Sequence, residues 1–249
     1  MKGVRAILWL HALRSRRYAL TLLSNALTDA LWALIPLLGA VLMGNSSLAW
    51  EVYWALVAWM LIANSAWLVG GWLEYANFLG VLEYHVHASV SPVSLALGRT
   101  VTLLISVAIS STLSAVPLLA AGWKPSIADP AALAAALTML LLQSLAYGVL
   151  LAVTALRMSV PSALLDIASL AQLGALLLPI TADQLPLLSL IPLLGPAYLA
   201  RHSALSGVEP AALAGSALTT AVVTALAAAY TRAAEKRFLK TGFRSVGFV

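Results

Sequence analysis

The chain contains no cysteine, which excludes a disulfide framework, thiol catalysis and a thiolate-held metal. Charge is scarce as well: only 9% of its 249 residues are Asp, Glu, Lys or Arg, where soluble domains run near a quarter. No G-x-x-x-x-G-K-S/T loop is present, so this chain does not bind and hydrolyse ATP by that route. H-E-x-x-H and G-x-S-x-G are missing too, and the histidines at 11, 85, 87 and 202 are divided between opposite expected sides. We assign no catalytic residue and expect no enzyme. His85 and His87, two apart, fall on different helix faces with no third ligand close behind, so no metal site is expected.

What is present is apolar. Hydrophobic residues make up 62% of the chain and its mean hydropathy is +0.96. A membrane crossing needs about 20 apolar residues. Six stretches qualify: 18–43, 50–73, 100–121, 131–156, 163–179 and 211–230. Only helices satisfy their own backbone at such lengths. The fold class is therefore all-α, a polytopic membrane helical bundle, with 1–249 a single transmembrane domain.

The net charge of +5 is explained by where the cations lie, so it is no nucleic-acid footprint. Lys2, Arg5, Arg14, Arg16 and Arg17 precede the first span. Arg232, Lys236, Arg237, Lys240 and Arg244 follow the last, and Arg99 and Arg157 occupy loops on the same side. Only Lys124 and Arg201 fall opposite. The positive-inside rule then predicts both termini in the cytoplasm and an even number of spans. The N-terminus lacks the small-residue site of a cleaved signal, so the first span is expected to remain as an anchor.

Residues 1–17 read as an interfacial helix, with Lys2, Arg5 and Arg16 on the side of Trp9, or as a plain basic flank that sets topology. Trp50, Tyr53 and Trp54 suit an aromatic belt. In 181–207, Pro186, Pro192 and Pro196 interrupt an apolar run. A seventh span there would carry the basic tail, 231–249, to the wrong side, and three prolines remove backbone donors that lipid cannot replace. Broken helices on the external side, between spans five and six, are predicted instead.

Asp29 lies roughly 16 Å into the first span. A carboxylate at such depth is a functional candidate by default. It must be protonated, hydrated, or hydrogen-bonded by neighbours such as Thr28 or Ser24. The alternative is a polar contact near the cytoplasmic end. Asp166 is expected near the cytoplasmic surface at a helix start. Asn64, Trp67, Gln143 and Tyr147 would line a translocation path together with Asp29, or else serve as hydrogen-bonding glue between helices.

The stretch Val81–Arg99, VLEYHVHASVSPVSLALGR, is a short polar interruption between spans two and three. Glu83 offers a fixed charge, and Ser91-Pro92 can start a helix because Pro is pre-set for a first turn. Gly98 would let the chain bend before Arg99 anchors at the interface. An ordinary cytoplasmic loop carries similar residues. Leu82-Glu83…Ser91-Pro92…Gly98-Arg99, in this place, resembles the coupling segment of ABC-2 type permeases, the membrane subunits of ATP-driven exporters. The closing GPAYLARHSALSG is similar to the ending of their external helices.

That resemblance implies six spans with a cytoplasmic coupling helix between the second and third. It also implies half of a translocation path, with Glu83, Ser91, Pro92, Gly98 and Arg99 receiving motion from a partner. The partners would be ATP-binding cassette subunits, which hold ATP and Mg, and a second copy or homologue of the permease. No cofactor would be bound by this chain, which would sit as a multi-pass protein in the plasma membrane. A stand-alone secondary transporter and a non-transporting scaffold remain the alternatives. Apolar walls suit lipids, drugs or other amphipathic substrates better than ions.

Overall fold

The computed structural model describes residues 2–87, 90–125, 127–156 and 162–241. These are helices and connections, with no strand among the described residues. Five helical stretches are long and apolar enough to cross a membrane. The first is α2, Ala19–Leu42. The second, Ser46–Phe78, is continuous but is built of α3 (Ser46–Asn64), a π-helical segment (Ser65–Gly70) and α4 (Gly71–Phe78). The third joins α6 (Pro92–Gly98) to α7 (Thr100–Ala120), and the fourth is α8 (Pro130–Ala155). The fifth lies in α12 (Pro210–Thr241), whose last turns carry Arg232, Glu235, Lys236 and Arg237.

The stretch expected at 163–179 forms α9, Ser162–Leu177, of 16 residues. At 1.5 Å per residue it reaches about 24 Å, short of the ~30 Å hydrocarbon core. The described structure thus holds five helices of full length and one shorter apolar helix. The second span also runs beyond its predicted 50–73 at both ends. The Asn45 side chain caps α3 by accepting from Leu48 N at 3.0 Å, and the far end stops only where Gly80 takes a positive φ of 67°. The predicted tail is helical as far as Thr241; residues 242–249, Arg157 and Pro161 lie outside the described residues.

Small residues bring the helices together. Along α2, Ala26, Ala30, Ala33, Leu37 and Ala40 recur every three or four positions and are buried. They meet α7, where Ser106, Ser110 and Ser114 form a buried ladder. Ser110 and Ser114 each donate to the carbonyl one turn back, at 2.9 and 2.8 Å. Their hydroxyls are thereby used within the helix and leave a small surface for close approach.

The π segment packs on α8, at its tightest through Gly70 and Gly148. A Cβ on Gly148 would stand 2.5 Å from the Ser65 carbonyl oxygen. A side chain on Gly148 would force the two spans apart, whereas one on Gly70 would be tight against Leu151 and the Gly148 carbonyl, at 3.1 and 3.2 Å.

The region between α9 and α12 is broken, as the prolines predict. A 3₁₀ turn at Ala182–Gln184 leads into α10 (Leu185–Leu188), a turn, and α11 (Leu194–Leu205). Leu193 sits at φ 67°, a conformation a branched residue adopts only under constraint. Gln143 supplies that constraint: its Oε1 accepts from Leu193 N at 2.6 Å, and its Nε2 donates to Thr220 Oγ1 at 2.8 Å. One fully buried side chain on α8 thus holds both the α10–α11 turn and α12.

Candidate functional site

Two places gather polar groups. The first is the junction of α1 (Lys2–Arg17), α6 and α12 with α5 (Val81–His87) beside it. Ser91 caps α6, accepting from Ser94 N at 3.2 Å, with Pro92 in the first turn. The same hydroxyl donates to Glu235 of α12, a partner on the helical extension that the sequence had suggested only as tail. Pro92 and Gly98 are buried and present nothing to solvent.

Gly98 is no hinge. It is helical, and Arg99 continues the turn with φ −66° and ψ −12°. Its role is to admit α1: a Cβ there would lie 2.5 Å from His11 Cδ2 and from Ile7 Cγ2. Nor does Arg99 reach out to an interface. It turns back to the π segment, Nε donating to the Leu68 carbonyl at 3.2 Å, with its guanidinium 5.9 Å from the Trp72 ring. What the junction leaves exposed is α5, with Glu83, Val81 and Tyr84, together with Leu79 just before it. Tyr84, 77% exposed, was not singled out by sequence pattern, since an aromatic residue near a span reads equally as an interface belt.

His11 also escaped notice, being one apolar-flanked residue in a basic segment. It is 1% exposed and makes no hydrogen bond at either ring nitrogen. Its ring meets Trp72 edge-on at 5.7 Å. Burial pushes its pKa down to about 4, with Arg99 and Arg14 adding repulsion and the Leu95 backbone acting in the opposite sense. Next along α1, Ser15 shares a 3.1 Å hydrogen bond with Thr102 of α7.

The second place is a groove of about 520 Å³ with α2 and α9 as walls and α3 with the π segment as floor. Asp29, Asn64, Trp67, Trp32, Trp59 and Asp166 line it. Asp29 Oδ2 accepts from Asn64 Nδ2 at 2.9 Å. Its hydrogen-bonding partner is therefore across the helix interface and not Thr28, whose hydroxyl donates to the Ser24 carbonyl. Trp59 donates its indole N–H to the carbonyl and hydroxyl oxygens of Ser169, at 3.1 and 2.9 Å, which fixes α9 to α3.

The structure brings Asp29, Asn64 and Trp67 together, and adds Asp166. It places Gln143 and Tyr147 elsewhere: Gln143 in the turn-holding network above, and the Tyr147 hydroxyl against the Gln172 side chain. Among the described residues no group of three or more His, Asp or Glu could hold a metal. No protein-family model matches the chain, and no curated protein sequence matches it.

At the opposite end of the bundle, Arg201 of α11 is buried and donates to the Leu176 carbonyl in the last turn of α9 at 2.8 Å and to the Leu178 carbonyl just beyond it at 3.1 Å. Tyr198 adds a third bond, to the Ala175 carbonyl at 2.5 Å. A helix end leaves its last carbonyls without intrahelical donors, and α11 supplies them. Burial pulls the Arg201 pKa below its ordinary value, while Glu51 and Tyr198 pull it back.

Proposed function

We propose that the chain is the permease subunit of an ATP-driven exporter of the ABC-2 type. In this reading it has six spans, α9 being the fifth, and both termini in the cytoplasm. The single observation that carries it is the α5–α6 unit, in which α5 lies between the second and third spans and α6 opens the third. Its α6 is capped by Ser91, started by Pro92 and seated on α1 and α12, while α5 presents Glu83 and Tyr84 outward.

Such a unit can take a push at α5 and pass it through α6 to α1, α7 and α12 together. ATP-binding subunits would dock at α5, and a second permease copy would complete the path. ATP binding in the partner would close the motor, press on α5, and shift the path from inward to outward exposure.

One observation favours a second reading, a proton-coupled carrier: two carboxylates, Asp29 and Asp166, line one groove, and an acid within a span is a functional candidate. Purification in gentle detergent separates the two. A stoichiometric partner carrying a phosphate-binding loop, lost on Glu83→Lys or Tyr84→Asp, supports the exporter. Recovery of this chain alone, from membranes where ATPase subunits are present and other complexes survive, supports the carrier.

A further inference from the structure

The groove between α2, α3 and α9 has a composition that no packing argument requires. Its walls hold three tryptophans, Trp32, Trp59 and Trp67, and two carboxylates, Asp29 and Asp166, while no Lys or Arg is among its described lining residues. Trp32 and Trp67 are exposed in the isolated chain. Asp29 lies ~15 Å from the start of α2 at 1.5 Å per residue, where an uncompensated charge is costly.

We propose that this groove binds an amphipathic organic cation. The positive centre would lie against the Asp29 and Asp166 carboxylates, with its apolar groups on the tryptophan rings. Three features carry this. Indole faces attract a cation that has shed its water, at about 0.5–2 kcal/mol per contact. The two acids give the groove a single sign of charge, which focuses a cation into it. A volume of about 520 Å³ falls within the ~300–1,000 Å³ of small-molecule sites, far more than a metal ion or a proton relay needs.

Asn64 has a defined part. Its amide donates to one Asp29 oxygen and to the Met60 carbonyl, at 2.9 and 3.0 Å. The carboxylate is thereby held in one orientation before any ligand arrives, which makes Asn64 a positioning residue. The Trp59 bond to Ser169 does the same for its ring.

This substrate class rests on the exporter reading only for what happens after binding; the site itself does not need a motor. The test is therefore equilibrium binding to the purified full-length chain in detergent. The probes are tetraphenylphosphonium and tetraphenylborate, ions of the same shape and opposite charge. We expect the phosphonium to bind at least tenfold tighter. Asp166→Asn, at an exposed position, and Asp29→Asn, which retains an acceptor for Asn64, should each weaken it by about fivefold to thirtyfold while leaving the borate unchanged. Trp67→Leu, which keeps apolar surface but removes the ring, should weaken the cation alone by about threefold to tenfold.

Equal binding of the two ions, no binding of the phosphonium, or indifference to both Asp variants overturns the proposal. Loss of the phosphonium with an intact Glu83-dependent ATPase complex would overturn the site and leave the exporter standing. Phosphonium binding by a chain that recovers no ATPase partner from membranes where such subunits are present would do the reverse.

Discussion

The two ends of this bundle are fastened by different physics. At the α11 end, charge-assisted and neutral hydrogen bonds hold the chain: Arg201 and Tyr198 close the carbonyls of α9. Gln143 holds the α10–α11 turn. The α12-proximal end of α11 also takes the backbone N–H groups of Ala128 and Asp129 ahead of α8, at 2.9 and 3.1 Å. At the α1 end the closest approach is steric, Gly98 under His11, and the bonds described beside it are single ones between different pairs of elements: Ser15 to Thr102, Ser91 to Glu235 and Arg99 to the Leu68 carbonyl. Directional bonds break all at once, whereas steric contacts slide. The α11 end is thus built as a fixed anchor, and the α1 end as a surface that can shift against its neighbours.

The largest way to break that contrast is Arg201→Met. It keeps most of the volume but leaves the Leu176 and Leu178 carbonyls without donors, at a cost of about 1–3 kcal/mol for each unsatisfied group. We expect destabilisation of about 4 kcal/mol, read as a lower thermal midpoint in detergent and early proteolysis between α9 and α11. A drop no larger than that of an exposed Arg232→Met control would deny the anchor its role.

The second test is pH. A His whose folded pKa is depressed contributes nothing unfavourable while neutral, above its unfolded value near 6.5. As pH falls from there through about 4, the unfolded chain takes up the proton first and the α1 packing loses stability. A shift of this size corresponds to about 3 kcal/mol. Crosslinking of α1 to α6 should weaken over that interval, and His11→Phe should abolish the pH dependence. The α11 end should show no matching change, which sharpens the contrast.

The smallest expected effect is at Ser91. Replacement by Ala removes the cap of α6 and the bond to Glu235, at about 1 kcal/mol. A double-mutant cycle with Glu235→Gln isolates the second part as a coupling of a few tenths to ~1 kcal/mol in thermal stability. Strict additivity would show that α12 and α6 are merely neighbours there.

Much of the architecture was legible because lipid imposes length and polarity so strictly. The apolar runs located the helices to within a few residues at Ala19–Leu42, Thr100–Ala120 and Pro130–Ala155, and the prolines announced the break before α11. Ser91-Pro92 signalled a helix start through local chemistry alone. Gly98 and Arg99 were misjudged for one reason: a glycine before a cation reads as a bend and an anchor when only neighbours in sequence are considered. Its actual use, a close approach of α1, is a contact between residues 11 and 98 that no local pattern carries. Asn64 facing Asp29, and Asp166 facing the same groove, were hidden likewise, since the partner of a polar residue in a span depends on helix rotation. The rotation of the second span changes part-way, at a segment with no sequence mark beyond Gly70-Gly71.

That π segment has a consequence for how the chain tolerates insertion and loss. Each residue added to a helix turns everything beyond it by about 100°, and a wide turn such as Ser65–Gly70 absorbs one surplus residue. Trp59, before it, faces α9; Trp72, after it, faces His11 and Arg99. Deleting one residue within 65–70 would restore an unbroken α-helix and swing the later half of the span off its partners. The protein's two polar places are therefore set in phase by a single miscounted turn, and a length change there would act as a rotation of one site against the other.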